Sequence, residues 1–122
     1  PEEIKQSILS MRALYTEKKL TAVFQPHLYT RTRDFYQEFA DSLSLLDEVI
    51  LTEIYPAREE PIPGISSELI YNNLRPDMEK CICKKENLIE TLSKKDIEVL
   101  ITLGAGDIDN YVPQICELLN KR

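Results

Sequence analysis

Six side chains able to do chemistry fall within seven positions, His27 to Arg33. They are an imidazole (His27, the only histidine), a phenol (Tyr29), two hydroxyls (Thr30 and Thr32) and two guanidinium groups (Arg31 and Arg33). Arginine binds carboxylate or phosphate through two parallel hydrogen bonds in fixed geometry. The set therefore suits an anionic ligand. Leu20, Ala22, Val23 and Phe24, just upstream, read as a short buried strand that Pro26 ends, since proline cannot donate to a ladder. A helical pattern follows, from about Thr32 to Leu46, and puts both arginines at its first turn. Unpaired N–H groups and the positive end of the helix dipole lie there too, so cations are unfavourable unless an anion joins them. The same residue types also fit a plain strand–helix connection with surface arginines.

Around this stretch the chain has 122 residues, 43% hydrophobic and 30% charged, which fits one globular domain. A net charge of −6 excludes a general nucleic-acid binder. No apolar run approaches the ~18 residues a membrane span needs, and Pro1-Glu2-Glu3-Ile4-Lys5 is no signal peptide. The amino end enters a helix with no strand and no initiator Met before it, which reads as a fragment of a longer chain. Cys81, Cys83 and Cys116 lack metal or redox spacing and read as free thiols in a reducing cytoplasm.

The remaining elements alternate. Ile4, Ile8, Met11 and Tyr15, with Leu14 beside them, predict a helix from Glu2 to about Tyr15 that starts at Pro1. In the next helix Phe35, Phe39, Leu43 and Leu46 form the inward face. Val49 to Ile54 predicts a strand covered on both faces. Tyr55 to Gly64, with Pro56, Pro61 and Pro63, is a rigid loop carrying Arg58, Glu59 and Glu60, a second place for ligand contact or a plain surface loop. It is expected to be ordered and at the same sheet edge as His27 and Gly104-Ala105-Gly106. A short helix capped by Ser66 or Ser67 runs to about Leu74, and a weaker strand covers Lys80 to Lys84. A helix from Asn87 to about Ser93 precedes a buried strand over Val99–Leu103. Gly104-Ala105-Gly106-Asp107 breaks that strand, and Asp107 is placed to cap a last helix, Ile108 to about Asn120.

About four strands alternating with helices predict an α/β fold: a Rossmann-like three-layer sandwich, mostly parallel, with helices on both faces. Gly104-x-Gly106 lacks the third glycine of a dinucleotide fingerprint and is better read as a tight turn. The sequence has no phosphate-binding GxxxxGK[ST] loop, nucleophile elbow or metal-spaced histidine pair.

Three stretches carry a resemblance. Phe24-Gln25-Pro26-His27-x-Tyr29-Thr30-Arg31-Thr32 resembles an FQPHRYTRT motif, Tyr55 to Gly64 resembles YAAGEEPIPG, and Leu103 to Ile108 resembles MGAGDI. All are motifs of the Mur ligase family of peptidoglycan synthesis, within it the branch that couples L-alanine to UDP-N-acetylmuramate. The resemblance covers nearly the whole chain. It implies that residues 1–122 are the carboxy-terminal, amino-acid-binding domain of a three-domain bacterial cytoplasmic enzyme. An amino-terminal UDP-sugar domain, a central ATPase domain and a further strand would precede it, Pro1-Glu2-Glu3-Ile4 resembling the end of HHPTEI. ATP, with Mg2+, would phosphorylate the lactyl carboxylate, and the amine of L-alanine would attack the acyl phosphate. The domain would close over the central one, and the fragment alone would be inactive and hold no cofactor or metal. By the resemblance His27 is the catalytic contact beside the phosphates and the amino acid, and Arg31 clamps an anion. Tyr29, Arg33, Arg58, Glu59, Gly104, Ala105 and Gly106 complete the expected substrate- and phosphate-binding set. Leu28 stands where the family has Arg, so either Arg33, Arg58 or another domain would supply that cation, or the binding would be weaker. Three other readings stay open: a sister Mur ligase adding another amino acid or a peptide, a stand-alone α/β module for a small anion, and a purely structural interaction domain. No nucleic acid or membrane partner is expected.

Overall fold

The structure is a computed structural model that describes residues 2–104 and 107–121. Four strands, β1 (Leu20–Gln25), β2 (Glu48–Leu51), β3 (Glu79–Ile82) and β4 (Val99–Gly104), form one sheet in the order β3-β2-β1-β4. Every pairing is parallel. Helices α1 (Glu2–Leu14), α2 (Tyr29–Leu43), α3 (Ser67–Asn73), α4 (Leu88–Ser93) and α5 (Val112–Asn120) cover it, with 3-10 turns at Lys85–Asn87 and Asp107–Tyr111. The expected α/β sandwich is what forms.

The central strand β1 is buried at all six positions and feeds two cores by simple alternation. Leu20, Ala22 and Phe24 join Ile8 of α1, Phe39 and Leu43 of α2 and Ile70 of α3 on one face. Val23 turns to the other face, with Ile50, Leu88 and Leu92 of α4, and Ile115 of α5. The helices thus lie on both sides of the sheet.

Several boundaries and faces differ from the periodicity. Helix α2 begins at Tyr29 and ends at Leu43, and Leu46 is buried in the turn beyond. Arg31 is therefore in its first turn and Arg33 in its second. Phe35, expected inward, is 39% exposed, since the inward stripe narrows to Phe39, Ala40 and Leu43. Tyr15 and Leu14 are likewise exposed, because α1 ends at Leu14. Strand β2 stops at Leu51, short of Ile54, and β3 covers Glu79–Ile82. Strand β4, expected to be buried, is half-buried from Val99 to Thr102 because it forms an edge of the described sheet. Helix α5 starts at Val112, which puts Pro113 in its first turn, where a missing N–H costs nothing. Ser66 caps α3 as expected, accepting from the Glu68 amide.

At the amino ends of the strands the fold buries a charge that the sequence reading passed over. Glu48 is 1% exposed and takes Lys95 at 2.8 Å, Lys19 at 3.3 Å and the Thr21 hydroxyl at 3.2 Å. Burial works to raise its carboxyl, but the Lys95 bond and the two ammonium charges outweigh it and hold the group below the usual range. Cys81, Cys83 and Cys116 are free; burial pushes the first two thiols up, which makes them poor nucleophiles.

Candidate functional site

The carboxyl ends of β1 and β4 open into a cleft of about 820 Å³ beside the amino end of α1. Parallel α/β sheets place ligand contacts at this end. His27 and Arg31 reach the cleft from β1 and α2, Thr102 and Gly104 from β4, and Glu2 and Glu3 from α1. It therefore carries charge of both signs.

His27 is held from behind. Tyr55, after β2, bonds the backbone on either side of it: the Tyr55 amide donates to Pro26 O at 2.8 Å, and Tyr55 O accepts from the Leu28 amide at 2.9 Å. The two rings then stack, with centroids 5.8 Å and planes 16° apart. Leu28, the residue that departs from the family motif, takes φ +70°, a left-handed conformation uncommon for a side-chain-bearing residue. It lines the cleft with an apolar surface where a cation was expected.

Arg31 lies over aromatic rings: its guanidinium carbon is 5.4 Å from the Phe35 centroid and 6.0 Å from that of Phe39. Such cation–π contacts favour this placement of the side chain at the cleft. Exposed Phe35 is thus explained by Arg31.

The helix-terminus conflict is resolved inside the chain. Glu59 Oε1 accepts from the amides of Tyr29 (2.5 Å) and Thr30 (3.1 Å), and its Oε2 accepts from the Thr30 hydroxyl at 2.5 Å. The carboxylate is the N-terminal cap of α2, and these bonds, the Thr30 hydroxyl first, hold it below the usual carboxylate range. The anion predicted at this helix end is the protein's own, so the proline-rich loop does lie at the His27 edge of the sheet.

The other expected site residues sit apart. Tyr29 lines a separate groove of about 190 Å³ with Glu53 and Ser66. Arg33 donates to the neighbouring Asp34 at 2.9 Å and Arg58 is exposed on the loop. Gly104 has φ +112°, and a Cβ there would collide with the Gln25 carbonyl oxygen. Packing against β1 therefore requires this glycine whatever the cleft binds. Ala105 and Gly106 lie outside the described residues.

Two residues stand at the same edge that the sequence reading did not assign to the site, Lys85 and the expected helix cap Asp107. Lys85 Nζ meets Asp107 Oδ2 at 2.6 Å and lies 5.9 Å from the centroid of the Tyr55 ring. Asp107 Oδ1 also accepts from Gln25 Nε2 at 2.5 Å, and buried Gln25 accepts the Ile108 amide at 2.9 Å. Asp107 is therefore a cross-link and not the cap of the last helix. Burial works to raise Asp107 and to lower Lys85; the Gln25 bond, then the Lys85 bond and charge, hold Asp107 below the usual range, and the Asp107 bond and charge hold Lys85 above it. A polar Gln25 ending an apolar strand was the one visible signal of this network. Among the described residues no group of three or more His, Cys, Asp or Glu could hold a metal ion. No described helix is long and apolar enough to cross a membrane.

No protein-family model matches the chain. Curated relatives do match. A UDP-N-acetylmuramate–L-alanine ligase of Phocaeicola vulgatus is 80% identical over 122 residues, all of this chain and 27% of the relative. Ligases of the same description from Parabacteroides distasonis and Cytophaga hutchinsonii are 53% and 48% identical, again over the whole chain and 26% of each relative. The chain spans about a quarter of the length of the curated relatives it matches, at their carboxy-terminal end. Over its whole length the chain is thus a homologue of the carboxy-terminal part of UDP-N-acetylmuramate–L-alanine ligases, members of the Mur ligase family.

Proposed function

We propose that this chain is the carboxy-terminal, amino-acid-binding domain of an ATP-dependent UDP-N-acetylmuramate–L-alanine ligase acting in the bacterial cytoplasm in peptidoglycan synthesis. The observation that carries the proposal is the match over all 122 residues to ligases of that description. In that reaction the lactyl carboxylate of UDP-N-acetylmuramate takes the γ-phosphoryl group of ATP, ADP leaves, and an acyl phosphate forms. The neutral amine of L-alanine then attacks the acyl carbon, phosphate leaves with the C–O electron pair, the nitrogen loses a proton, and the amide remains. The nucleotide, the metal and the UDP-sugar would be held by a central ATPase domain and an amino-terminal domain of the full-length ligase.

The cleft suits the acceptor's side of this chemistry. A free amino acid is a zwitterion, and Arg31 faces the same space as Glu2 and Glu3. Arg31 takes the α-carboxylate or a phosphate oxygen bidentately. His27, fixed by Tyr55, hydrogen-bonds the incoming amino acid or the phosphate beside it. Glu59 and Gly104 serve the site by shaping it, Tyr29 by the helix start it begins, and Arg33 and Arg58 present cations toward the central domain. The 122-residue chain alone hydrolyses no ATP and forms no amide.

The test is replacement. The matching segment of the Phocaeicola vulgatus ligase is exchanged for this chain, and the chimera is asked to support growth of a strain whose own ligase is switched off. Growth on the chimera is the expected result; failure to grow with the chimera folded and present at normal level overturns the proposal.

A further inference from the structure

We propose that Lys85 is a positioning residue: through Asp107 and Tyr55 it ties together described residues that follow β2, β3 and β4 and so fixes the ring of His27. The inference gains its meaning from the reading of His27 as a ligand contact, but its geometry stands apart from that reading.

Described residues beyond each of the four strands are tied to one another at the carboxyl edge of this sheet in a continuous line. The loop after β1 carries His27, which stacks on Tyr55 of the loop after β2. Lys85, after β3, reaches two ways. Its ammonium lies 5.9 Å from the Tyr55 centroid, and its backbone amide donates to Glu53 Oε1 at 3.1 Å in the segment before Tyr55. The same ammonium bonds Asp107 at 2.6 Å, beyond β4. Asp107 returns to β1 through Gln25, two residues before His27. The circuit therefore closes on the strand that carries the histidine.

Only a long cation fits this role. The side chain of Lys85 is 18% exposed and that of Asp107 34%, so the pair is largely withdrawn from solvent and stronger than a surface ion pair. The ammonium must satisfy a carboxylate and the face of a phenol together. A neutral replacement gives up both, freeing the Tyr55 ring to turn and leaving the Asp107 carboxylate with Gln25 as its remaining side-chain partner. Arginine keeps the charge and the reach. No chemistry is asked of Lys85 itself, so its effect must show at His27.

His27 is the only histidine, which makes its ring protons an unobstructed NMR probe in this 122-residue chain. Lys85→Met, Lys85→Arg, Asp107→Asn and the Lys85→Met/Asp107→Asn double variant are compared without any ligand. The expected result is that Lys85→Met shifts both His27 ring-proton resonances and weakens the Tyr55–His27 ring contacts seen by the nuclear Overhauser effect. Asp107→Asn should move them in the same direction, the double variant little further than Lys85→Met alone, and Lys85→Arg should restore the parent spectrum. Unmoved His27 resonances in a folded Lys85→Met chain overturn the proposal. So does additive behaviour of the two single changes. If Lys85→Met does not fold, Asp107→Asn and Lys85→Arg decide by the same resonances; if those fail to fold as well, the pair is a stability element and the proposal is wrong. Because no substrate is present, failure here leaves the assignment of His27 and Arg31 to ligand contact intact.

Discussion

The carboxylate of Glu59 grips Thr30 twice, accepting from its amide at 3.1 Å and from its hydroxyl at 2.5 Å, and in doing so starts helix α2 three residues earlier than hydrophobic periodicity indicates. This contact joins the proline-rich loop to the helix that presents Arg31. It follows that Glu59→Ala should lower the unfolding midpoint and fray the first turn of α2, read as faster amide exchange at Tyr29 and Thr30. Glu59→Gln should retain part of the cap. The Glu59 carboxyl titrates below its unfolded value, so its contribution is present above the ordinary carboxylate range and is lost as pH falls through the folded value. The gap between parent and Glu59→Gln midpoints should therefore close in acid; a constant gap from neutral pH to pH 3 would contradict the cap.

Gly104→Ala should destabilise the chain by about 1–3 kcal/mol, the cost of strained backbone, since its φ is +112° and a methyl group would meet the Gln25 carbonyl. Gly64, with φ +81° and open space around it, pays only the conformational cost. Equilibrium denaturation of both alanine variants checks this: equal losses would mean that close approach to β1 is not what requires Gly104.

Glu48→Ala should cost about 1–3 kcal/mol, because it removes a buried carboxylate that holds Lys95 at 2.8 Å and Lys19 at 3.3 Å, while Lys19 keeps Glu79 at 3.2 Å. The folded Glu48 carboxyl also lies below its unfolded value, so its stabilisation is complete above the ordinary carboxylate range and falls away as pH drops through the folded value. Denaturation midpoints measured from pH 7 to pH 3 should thus decline more steeply for the parent than for Glu48→Gln. Parallel declines would mean that the group is not titrating in this way.

What the sequence made legible follows from the range of the interactions. Strand β1 and the turn chemistry of Ser66 are local, and their bounds and cap are where residue types put them. The start of α2 was not legible, because no residue from Pro26 to Tyr29 is a capping type and the cap arrives from Glu59, 30 residues beyond Tyr29. Phe35 keeps helical spacing with Phe39 yet faces outward, since periodicity fixes an angular stripe and not its width. Helix α5 was read through Pro113, where the missing N–H instead fixes its first turn. Of the candidate site, His27, Arg31 and Gly104 do share one cleft. The pairing of Lys85 with Asp107 stayed hidden because the two meet only across 22 residues, and Asp107 offered itself locally as a helix cap. Buried Glu48 was hidden for the same reason: its two lysines come from other loops.

The central claim is that Arg31 meets substrate in the intact ligase, and steady-state kcat/KM for L-alanine in the chimeric enzyme tests it most directly. Arg31→Ala gives up its stack on Phe35 and Phe39, so the isolated chain should lose only about 0.5–1 kcal/mol of stability. In the chimera the same change should lower kcat/KM by several-fold to about 1,000-fold, roughly 1–4 kcal/mol for a lost charge-assisted contact. Arg31→Lys should not restore it, because the planar fork is gone. Parent-level kcat/KM in Arg31→Ala, or unfolding of the isolated chain by that change, would make Arg31 a structural residue and contradict the account.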